Sequence, residues 1–346
     1  MRRFIAHIGA AKTGTTAFQA WLKAHRAEMM AAGYLVPAKT PRQGNHRGVV
    51  AALAGTSDAR NADKVLAATL RELEEHPELD VVVSAEALGS VEQTTTLLPA
   101  LTARLDGFEK VAILSVRDPV AHYNSGFAQR RKAMRRNERD FDAFYREGRE
   151  RRRGDWRLKV EQYEAHGWRM IVLPYNAEAK ARGITRTLLS LPEFGDAASR
   201  LPVDEAGERN LSMGAIGLII MDLIQDAIDP AGVLDTHAPA ELRERVARIA
   251  NERFDDRPFN GFTAERRQEV IAAFADGNRW IAERFFEVPW EVACPPQPPA
   301  PVSPRTLDDL PEDLARRVAR AANRMTGYAR ELGRLERPAK GRSAED

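Results

Sequence analysis

The sequence predicts an α/β protein with a P-loop-like, three-layer fold, in which helices flank a central parallel sheet and the C-terminal part is mostly helical. Three observations lead to this prediction. Strand and helix patterns alternate through residue 175. A loop rich in glycine and threonine follows the first strand pattern and opens the first helix pattern. Beyond residue 175 the patterns are almost all helical.

Short apolar runs rich in β-branched residues are typical of buried parallel strands. The third run ends at Ser84, and Pro119 stops the fourth. The expected strands are residues 2–8, 34–37, 80–84, 110–119 and 168–175. Apolar residues at helical spacing fill the intervals between them, over residues 16–33, 46–54, 60–75, 120–134 and 156–167.

The later part of the chain contains one strongly apolar segment, "MGAIGLIIMDLIQDAI", at residues 213–228. Asp222 and Asp226 interrupt it, so it is too polar to cross a membrane. It predicts a buried core helix with Ser212 as the N-cap.

The expected domain organisation is linear along the chain. Prolines crowd residues 295–304, and steps of four and three separate the apolar residues that follow. Such a helix either docks on the domain or joins two copies of the chain in a homo-oligomer. We therefore expect an α/β domain (1–292), a proline-rich linker (293–305), an amphipathic helical tail (306–336) and a disordered end (337–346).

Composition excludes several classes of protein. The 346 residues include 52 basic and 50 acidic side chains, a net charge of +2, which gives no field that would attract nucleic acid. The single cysteine, Cys294, rules out an internal disulfide and fits a reducing compartment. We expect a cytoplasmic protein that does not span the membrane and that could lie at the periphery of the inner membrane.

The loop "HIGAAKTGTT" (residues 7–16) has the features of a phosphate-binding loop. Unpaired N–H groups at a helix start favour an anion, and Gly14 allows the backbone to approach it. Threonine hydroxyls at 13, 15 and 16 add donors. A Walker A loop needs lysine after its second glycine, but Thr15 occupies that position and Lys12 precedes the glycine.

A second candidate anion site follows the fourth strand. Arg117 ends this strand, and Ser125 comes eight residues later on the following helix. Ligands of open α/β folds bind at the carboxyl ends of the strands, and an arginine fork suits a phosphate. Two anion sites together predict a nucleotide with separate 5′ and 3′ phosphate groups.

These two motifs resemble those of the sulfotransferases that use 3′-phosphoadenosine 5′-phosphosulfate (PAPS). In that family a K-[ST]-G-T-T loop holds the 5′-phosphosulfate, which matches Lys12, Thr13, Gly14, Thr15 and Thr16. An R-x8-S pair holds the 3′-phosphate, which matches Arg117 and Ser125. Weaker similarity to the bacterial branch acting on carbohydrates covers "VSAEAL", "RNLS" (209–212) and residues 262–286.

The chain departs from the family at one motif. Cytosolic members carry a late R-K-G-x-x-G-D-W stretch on the 3′-phosphate, whereas "RRRGDW" occurs here at residues 151–156, far too early. We interpret it as coincidence. Residues 251–262 are the candidate, on position alone, for a late loop that closes over the nucleotide.

The resemblance implies transfer of a sulfuryl group from PAPS to a hydroxyl or amine of a glycan or glycolipid acceptor, with 3′,5′-bisphosphoadenosine (PAP) as product. Lys12 would stabilise the leaving phosphate. Glu86, just beyond the third strand, is the first candidate for the base, and His46 is the second. No metal is implied, and the seven histidines are scattered.

Other interpretations stay open on the sequence. A P-loop kinase or NTPase would need a lysine after Gly14 and an aspartate for Mg²⁺. A non-catalytic scaffold would bind the nucleotide without turnover. Residues 130–157 contain twelve basic and six acidic side chains, which fits either the rim of an anion-binding cleft or a solvated helical face.

Overall fold

The fold is described from a computed structural model. The structure describes residues 1–38, 44–56, 61–134, 139–203, 213–229 and 238–335. Three features singled out in the sequence lie outside the described residues: the "RNLS" stretch, Ser212 as an N-cap and the end of the chain from residue 337.

A five-stranded, all-parallel sheet forms the centre of the fold. All five strands expected from the sequence are confirmed, since apolar runs are typical of buried parallel strands, but the second covers only Tyr34 and Leu35 of the predicted residues 34–37. The strands are β1 (Arg3–Gly9), β2 (Tyr34–Leu35), β3 (Asp80–Ser84), β4 (Glu109–Val116) and β5 (Arg169–Pro174). Their order in the sheet is β2-β3-β1-β4-β5.

Sixteen α-helices are assigned within the described residues. They are α1 (Thr15–Ala24), α2 (Arg26–Ala31), α3 (Arg47–Leu53), α4 (Ala62–Glu75), α5 (Val91–Arg104), α6 (Pro119–Lys132), α7 (Phe141–Glu150), α8 (Trp156–Ala165), α9 (Ala177–Arg182), α10 (Ile184–Leu189), α11 (Gly195–Ser199), α12 (Ala215–Ile228), α13 (Ala240–Phe254), α14 (Ala264–Phe285), α15 (Trp290–Ala293) and α16 (Glu312–Leu335).

Alternate residues of the central strands face two separate apolar cores. Phe4 and Ile8 belong to one core, which includes residues of α3, α5 and α8. Ile5 belongs to the other core, with residues of α1 and α10. Helices therefore cover both faces of the sheet, as in a three-layer α/β fold.

The chain divides into two compact units that interleave along the sequence. The first unit comprises Met1–His122, Gly148–Glu208 and Gln268–Gln297, and it contains the whole sheet. The second comprises Tyr123–Glu147, Arg209–Arg267 and Pro298–Asp346. Its described elements are helical, which fits the helical pattern of the late sequence.

In the second unit, α16 packs along α12 and α13. Its apolar face is buried at Val318, Ala321 and Met325. The apolar stripe that suggested either docking or self-association is thus covered within one chain over these positions. The preceding proline-rich stretch is also held, because the Asn260 amide donates to the carbonyl oxygens of Ala300 and Pro301 at 2.8 and 3.2 Å.

The aspartates that interrupt the apolar helix α12 have partners. Asp222 pairs with Arg131, whose side chain is 1% exposed, and Asp226 lies 2.9 Å from Arg139. The helix begins after Gly214, and Asp256 accepts hydrogen bonds from three N–H groups of its first turn. Within the described residues, no helix combines the length and the apolar character needed to cross a membrane.

Candidate functional site

The loops that follow β1 and β4 meet at the carboxyl edge of the sheet. From β1 the chain continues towards β2, and from β4 it continues towards β5, so the two neighbouring strands feed opposite sides of the sheet. Such a switch point is where open α/β folds bind ligands. Here Arg117 Nη1 donates to the carbonyl oxygen of Lys12 at 3.0 Å, which brings the two candidate anion motifs together.

The loop after β1 is held in a turn that needs left-handed backbone. Lys12 has φ +69° and Gly14 has φ +80°. A Cβ added at Gly14 would lie 2.8 Å from Ile184 Cγ2, so only glycine fits there. Gly14 is the N-cap of α1 and provides no side-chain acceptor for the first N–H groups of that helix.

The three threonines of the loop differ in exposure. Thr13 is fully buried, and its hydroxyl donates to the Ala10 carbonyl oxygen at 2.7 Å, so this donor braces the loop. Thr15 is buried at the start of α1 and Thr16 is exposed. Lys12 is half-buried.

Glu86 lies beside the loop, in a short 3-10 helix that follows β3 (Glu86–Gly89). Its Cγ would be 3.9 Å from a Cβ at Gly9. The carboxyl group is half-buried. Burial raises the pKa of Glu86, while the positive charge of Lys12 acts in the opposite direction. The first candidate base is therefore next to the candidate phosphate loop.

His46, the second candidate base, is 0% exposed and holds a structural position. Its ring Nδ1 accepts the Ser84 backbone N–H at 3.2 Å, and the backbone N–H of His46 donates to the Ser84 carbonyl oxygen at 2.9 Å. Burial lowers the pKa of His46 to about 4. The polar segment "QGNHRG" around it gave no sign of this burial, because the contact with β3 is tertiary.

A second buried histidine, His7, also contacts Ser84. Its Nδ1 lies 2.9 Å from the Ser84 hydroxyl oxygen, and burial lowers the pKa of His7 to about 4. Both imidazoles are therefore neutral at pH 7. Sequence reasoning missed His7 because it stands inside an apolar strand run.

Tyr175 and Lys180 follow β5 and surround Arg117 with a ring and a second cation. Neither residue was singled out from the sequence. The Arg117 guanidinium carbon and the Lys180 ammonium nitrogen lie 5.8 and 5.4 Å from the centre of the Tyr175 ring. Partial burial lowers the pKa of Lys180, and the charge of Arg117 lowers it further. The only signal in the sequence was the position of Tyr175 at the end of the last strand.

The structure describes both Ser125 and the "RRRGDW" stretch. Ser125 is half-buried on α6, the helix that begins two residues after Arg117. The His122 ring packs edge-on against Trp156 at 5.0 Å. Burial lowers the pKa of His122, and Lys159, Arg117 and Arg153 add to this effect. Arg117 and Arg153, which belongs to the "RRRGDW" stretch, therefore both lower the pKa of the His122 imidazole.

The late segment 251–262 has structural partners in its own unit. Asp256 caps α12, and Asn260 binds the proline-rich stretch. Its suggested closure over a nucleotide stays a prediction. Over the ranges that the structure describes, no group of three or more His, Cys, Asp or Glu side chains is arranged to hold a metal ion.

Comparison with known proteins gives no relative: no family model, no curated protein and no solved structure matches the chain.

Proposed function

We propose that the protein is a PAPS-dependent sulfotransferase with a P-loop-like fold. The observation that carries the proposal is the hydrogen bond from Arg117 to the Lys12 carbonyl, which joins the two motifs at the switch point of the sheet. We propose that the loop and Arg117 each hold one of two anionic groups of a single ligand, as the resemblance to PAPS-dependent sulfotransferases implies. A 3′,5′-bisphosphorylated nucleotide with a 5′-phosphosulfate has them.

The residues at this edge fit such a donor. Arg117 Nε is buried and has no hydrogen-bond partner among the described residues, so a donor remains for an anion. Lys180 adds a second cation beside it. Gly14 leaves room for close approach to the loop backbone. In this proposal Lys12, Thr13, Gly14, Thr15 and Thr16 bind the 5′ end, and Arg117 and Ser125 bind the 3′-phosphate.

Sulfuryl transfer, like phosphoryl transfer, depends on positioning and charge stabilisation. Lys12 and the N–H groups of the loop would stabilise the charge that develops on the leaving phosphate. Glu86 would take the proton from the acceptor hydroxyl or amine. The raised pKa of Glu86 is closer to neutral pH than that of an ordinary glutamate, which suits a general base. His46 fits this role less well because its ring is fully buried.

The acceptor class rests on the resemblance to the bacterial carbohydrate branch. We propose a glycan or glycolipid acceptor and a cytoplasmic enzyme that forms PAP as product without a metal ion. A kinase or NTPase is less well supported, since Thr15 stands where that chemistry needs lysine. Asp118, which follows β4, accepts the Ala121 N–H at 2.8 Å and caps α6. A non-catalytic scaffold would share the nucleotide site but show no turnover.

A thermal shift experiment with PAP, ADP and ATP–Mg²⁺ tests the donor site. PAP at a hundred times its dissociation constant should stabilise the wild type by about 2.7 kcal/mol, because a ligand that binds only the folded state shifts the unfolding equilibrium. This stabilisation should disappear in Arg117→Ala.

The matched control is Arg169→Ala at the opposite end of the parallel strands. Arg169 forms surface ion pairs with Glu109 and Glu193 at 3.1 and 2.9 Å, and such pairs contribute little to stability. This variant should keep the full response to PAP. Stabilisation by ATP–Mg²⁺ in place of PAP, or by none of the three, would refute the proposal.

A further inference from the structure

A groove rich in arginine lies in the second unit, between the last turn of α13 and the first half of α16. It has a volume of about 320 Å³ and is lined by Arg253, Phe254, Arg317, Arg320 and Arg324. We call it the arginine groove. None of its residues belongs to the motifs at the sheet edge.

Helix geometry places these arginines in a row. Arg317, Arg320 and Arg324 are three and then four residues apart, so they share one face of α16. Arg317 Nη2 donates to the Arg253 carbonyl oxygen at 3.0 Å, and its guanidinium lies over the Phe254 ring at 5.4 Å. This contact fixes one wall of the groove and joins the two helices.

The groove is cationic without a compensating carboxylate. Its lining includes no acidic residue, and over the part of the chain that the structure describes Arg253, Arg320 and Arg324 form no ion pair. The next arginine along α16 differs, because Arg316 pairs with Glu312 at 2.9 Å and also with Asp313. Four like charges around one small space repel one another, and an anion would relieve that repulsion.

A larger cavity in the first unit shows the contrast. It has a volume of about 480 Å³, and its lining includes Arg152 and Arg157. Two of its three arginines are paired with carboxylates, since Arg152 lies 2.7 Å from Asp155 and Arg157 lies 2.7 Å from Glu161. The third, Arg149, lies over the Phe274 ring at 4.8 Å. The lining of the larger cavity therefore has three arginines against two carboxylates, whereas the arginine groove has four arginines and no acidic residue.

We propose that the arginine groove binds a small ligand that carries at least two phosphate groups. The backbone positions of Arg317 and Arg324 are separated by about 10 Å along the helix axis, so the row extends over a longer span than one tetrahedral anion. A phosphate monoester carries a charge of about −1.5 to −2, so two of them balance four guanidinium groups. Guanidinium forks also match phosphate oxygens in pairs.

Other anionic partners fit the groove less well. A bilayer surface is flat, whereas this site is concave. Single-stranded nucleic acid requires exposed aromatic rings for stacking, and Phe254, the only aromatic residue in the lining, is half-buried under Arg317. Carboxylate ligands supply one charge per group and would leave part of the row uncompensated.

Isothermal titration with inorganic tripolyphosphate tests the proposal. The wild type should bind it, and the double variant Arg320→Ala/Arg324→Ala should bind it at least tenfold more weakly. Both side chains are exposed, and alanine is the best helix former, so the variant should remain folded. Arg316→Ala, on the same helix but outside the groove, is the matched control and should bind normally.

Two further measurements separate this site from the one at the sheet edge. Binding of tripolyphosphate should survive Arg117→Ala, and stabilisation by PAP should survive the double variant. The proposal is overturned if tripolyphosphate does not bind, if Arg117→Ala abolishes its binding, or if the double variant binds as well as wild type. Equal or tighter binding of citrate, a glutamate peptide, a sulfated tetrasaccharide or anionic vesicles would also overturn it.

Discussion

The hydrogen bond from Arg117 to a backbone carbonyl differs from a surface ion pair, because the carbonyl has no net charge that could neutralise the guanidinium. The guanidinium of Arg117 is half-buried and donates to a neutral carbonyl, that of Lys12, while its Nε stays without a partner among the described residues. Burial lowers the pKa of Arg117, although an arginine remains charged at neutral pH. A positive charge held in this way favours an anionic ligand at the same edge of the sheet.

Glu86→Gln tests whether the Glu86 carboxylate is the base that takes the proton from the acceptor. The amide keeps the size of the carboxyl group but accepts no proton, so sulfuryl transfer should fall by about 10² to 10⁴-fold. Binding of PAP should stay within a few-fold of wild type. The measurement is release of PAP from PAPS in the presence of glycan acceptors.

The control for this variant is Glu109→Gln, at the amino end of β4, which should keep full activity. An unchanged transfer rate in Glu86→Gln would exclude Glu86 as the base. Loss of PAP binding together with activity would instead show that the carboxylate positions the loop.

Gly14→Ala tests the fit of the phosphate loop. The alanine would adopt φ +80° and meet Ile184 Cγ2 at 2.8 Å, so we expect a loss of about 1–3 kcal/mol in the free energy of unfolding. Gly167→Ala separates strain from collision, because Gly167 has φ +72° but no atom within 4 Å of its Cβ position. Urea unfolding should show a smaller loss for Gly167→Ala, and equal losses would argue against the collision.

At the scale of elements, Ser84 links three segments of chain. The end of β3 receives His7 from β1 and His46 from the turn before α3. Both histidines have pKa values of about 4 in the folded protein, below the ordinary value of 6.5. The unfolded chain therefore binds more protons than the folded one between these pH values, and stability must fall as pH falls through this range.

Between pH 6.5 and 4, each histidine should lower the free energy of unfolding by no more than about 1.4 kcal/mol per pH unit. Below pH 4 these two groups should contribute no further loss. His46→Asn keeps an acceptor for the Ser84 N–H and removes one titration. Chemical unfolding at a series of pH values should give this variant a shallower slope than wild type, and an unchanged slope would contradict the assignment.

The same elements show what the sequence could and could not predict. Each strand was predictable because it is a local apolar run, and the meeting of Lys12 and Arg117 followed from their positions at the ends of parallel strands. The burial of His46 was not predictable, because a polar loop gives no local sign of what it packs against. Tyr175 and Lys180 were missed for the same reason.

At the scale of the whole molecule, the chain passes repeatedly between its two compact units. Helices α6, α7 and α14 each contribute residues to both. The sequence predicts a linear order of domain, linker and tail, because composition changes in that order along the chain. Composition cannot show that Tyr123–Glu147 shares a unit with the C-terminal helix, since that depends on long-range contacts.

Asp222→Ala tests the stability of the second unit. Arg131 would be left buried with no carboxylate at this position, and removal of one partner of a buried pair costs about 3–5 kcal/mol. Hydrogen exchange should quicken in α12 and α16. Replacement of the exposed partner in Arg182→Ala, a pair with Glu178 at 2.8 Å, should change stability by less than about 1 kcal/mol. Similar exchange in both variants would show that the buried pair adds little.

The position of α16 has a consequence for anyone who shortens this protein. Val318, Ala321 and Met325 close the apolar side of α12, and the prolines before them are fastened by Asn260. A truncated chain ending at residue 292 would therefore expose a hydrophobic surface that the full chain keeps dry, and aggregation during expression would follow. The segment that composition marks as an appendage therefore covers the apolar face of α12, and an expression vector should encode it in full.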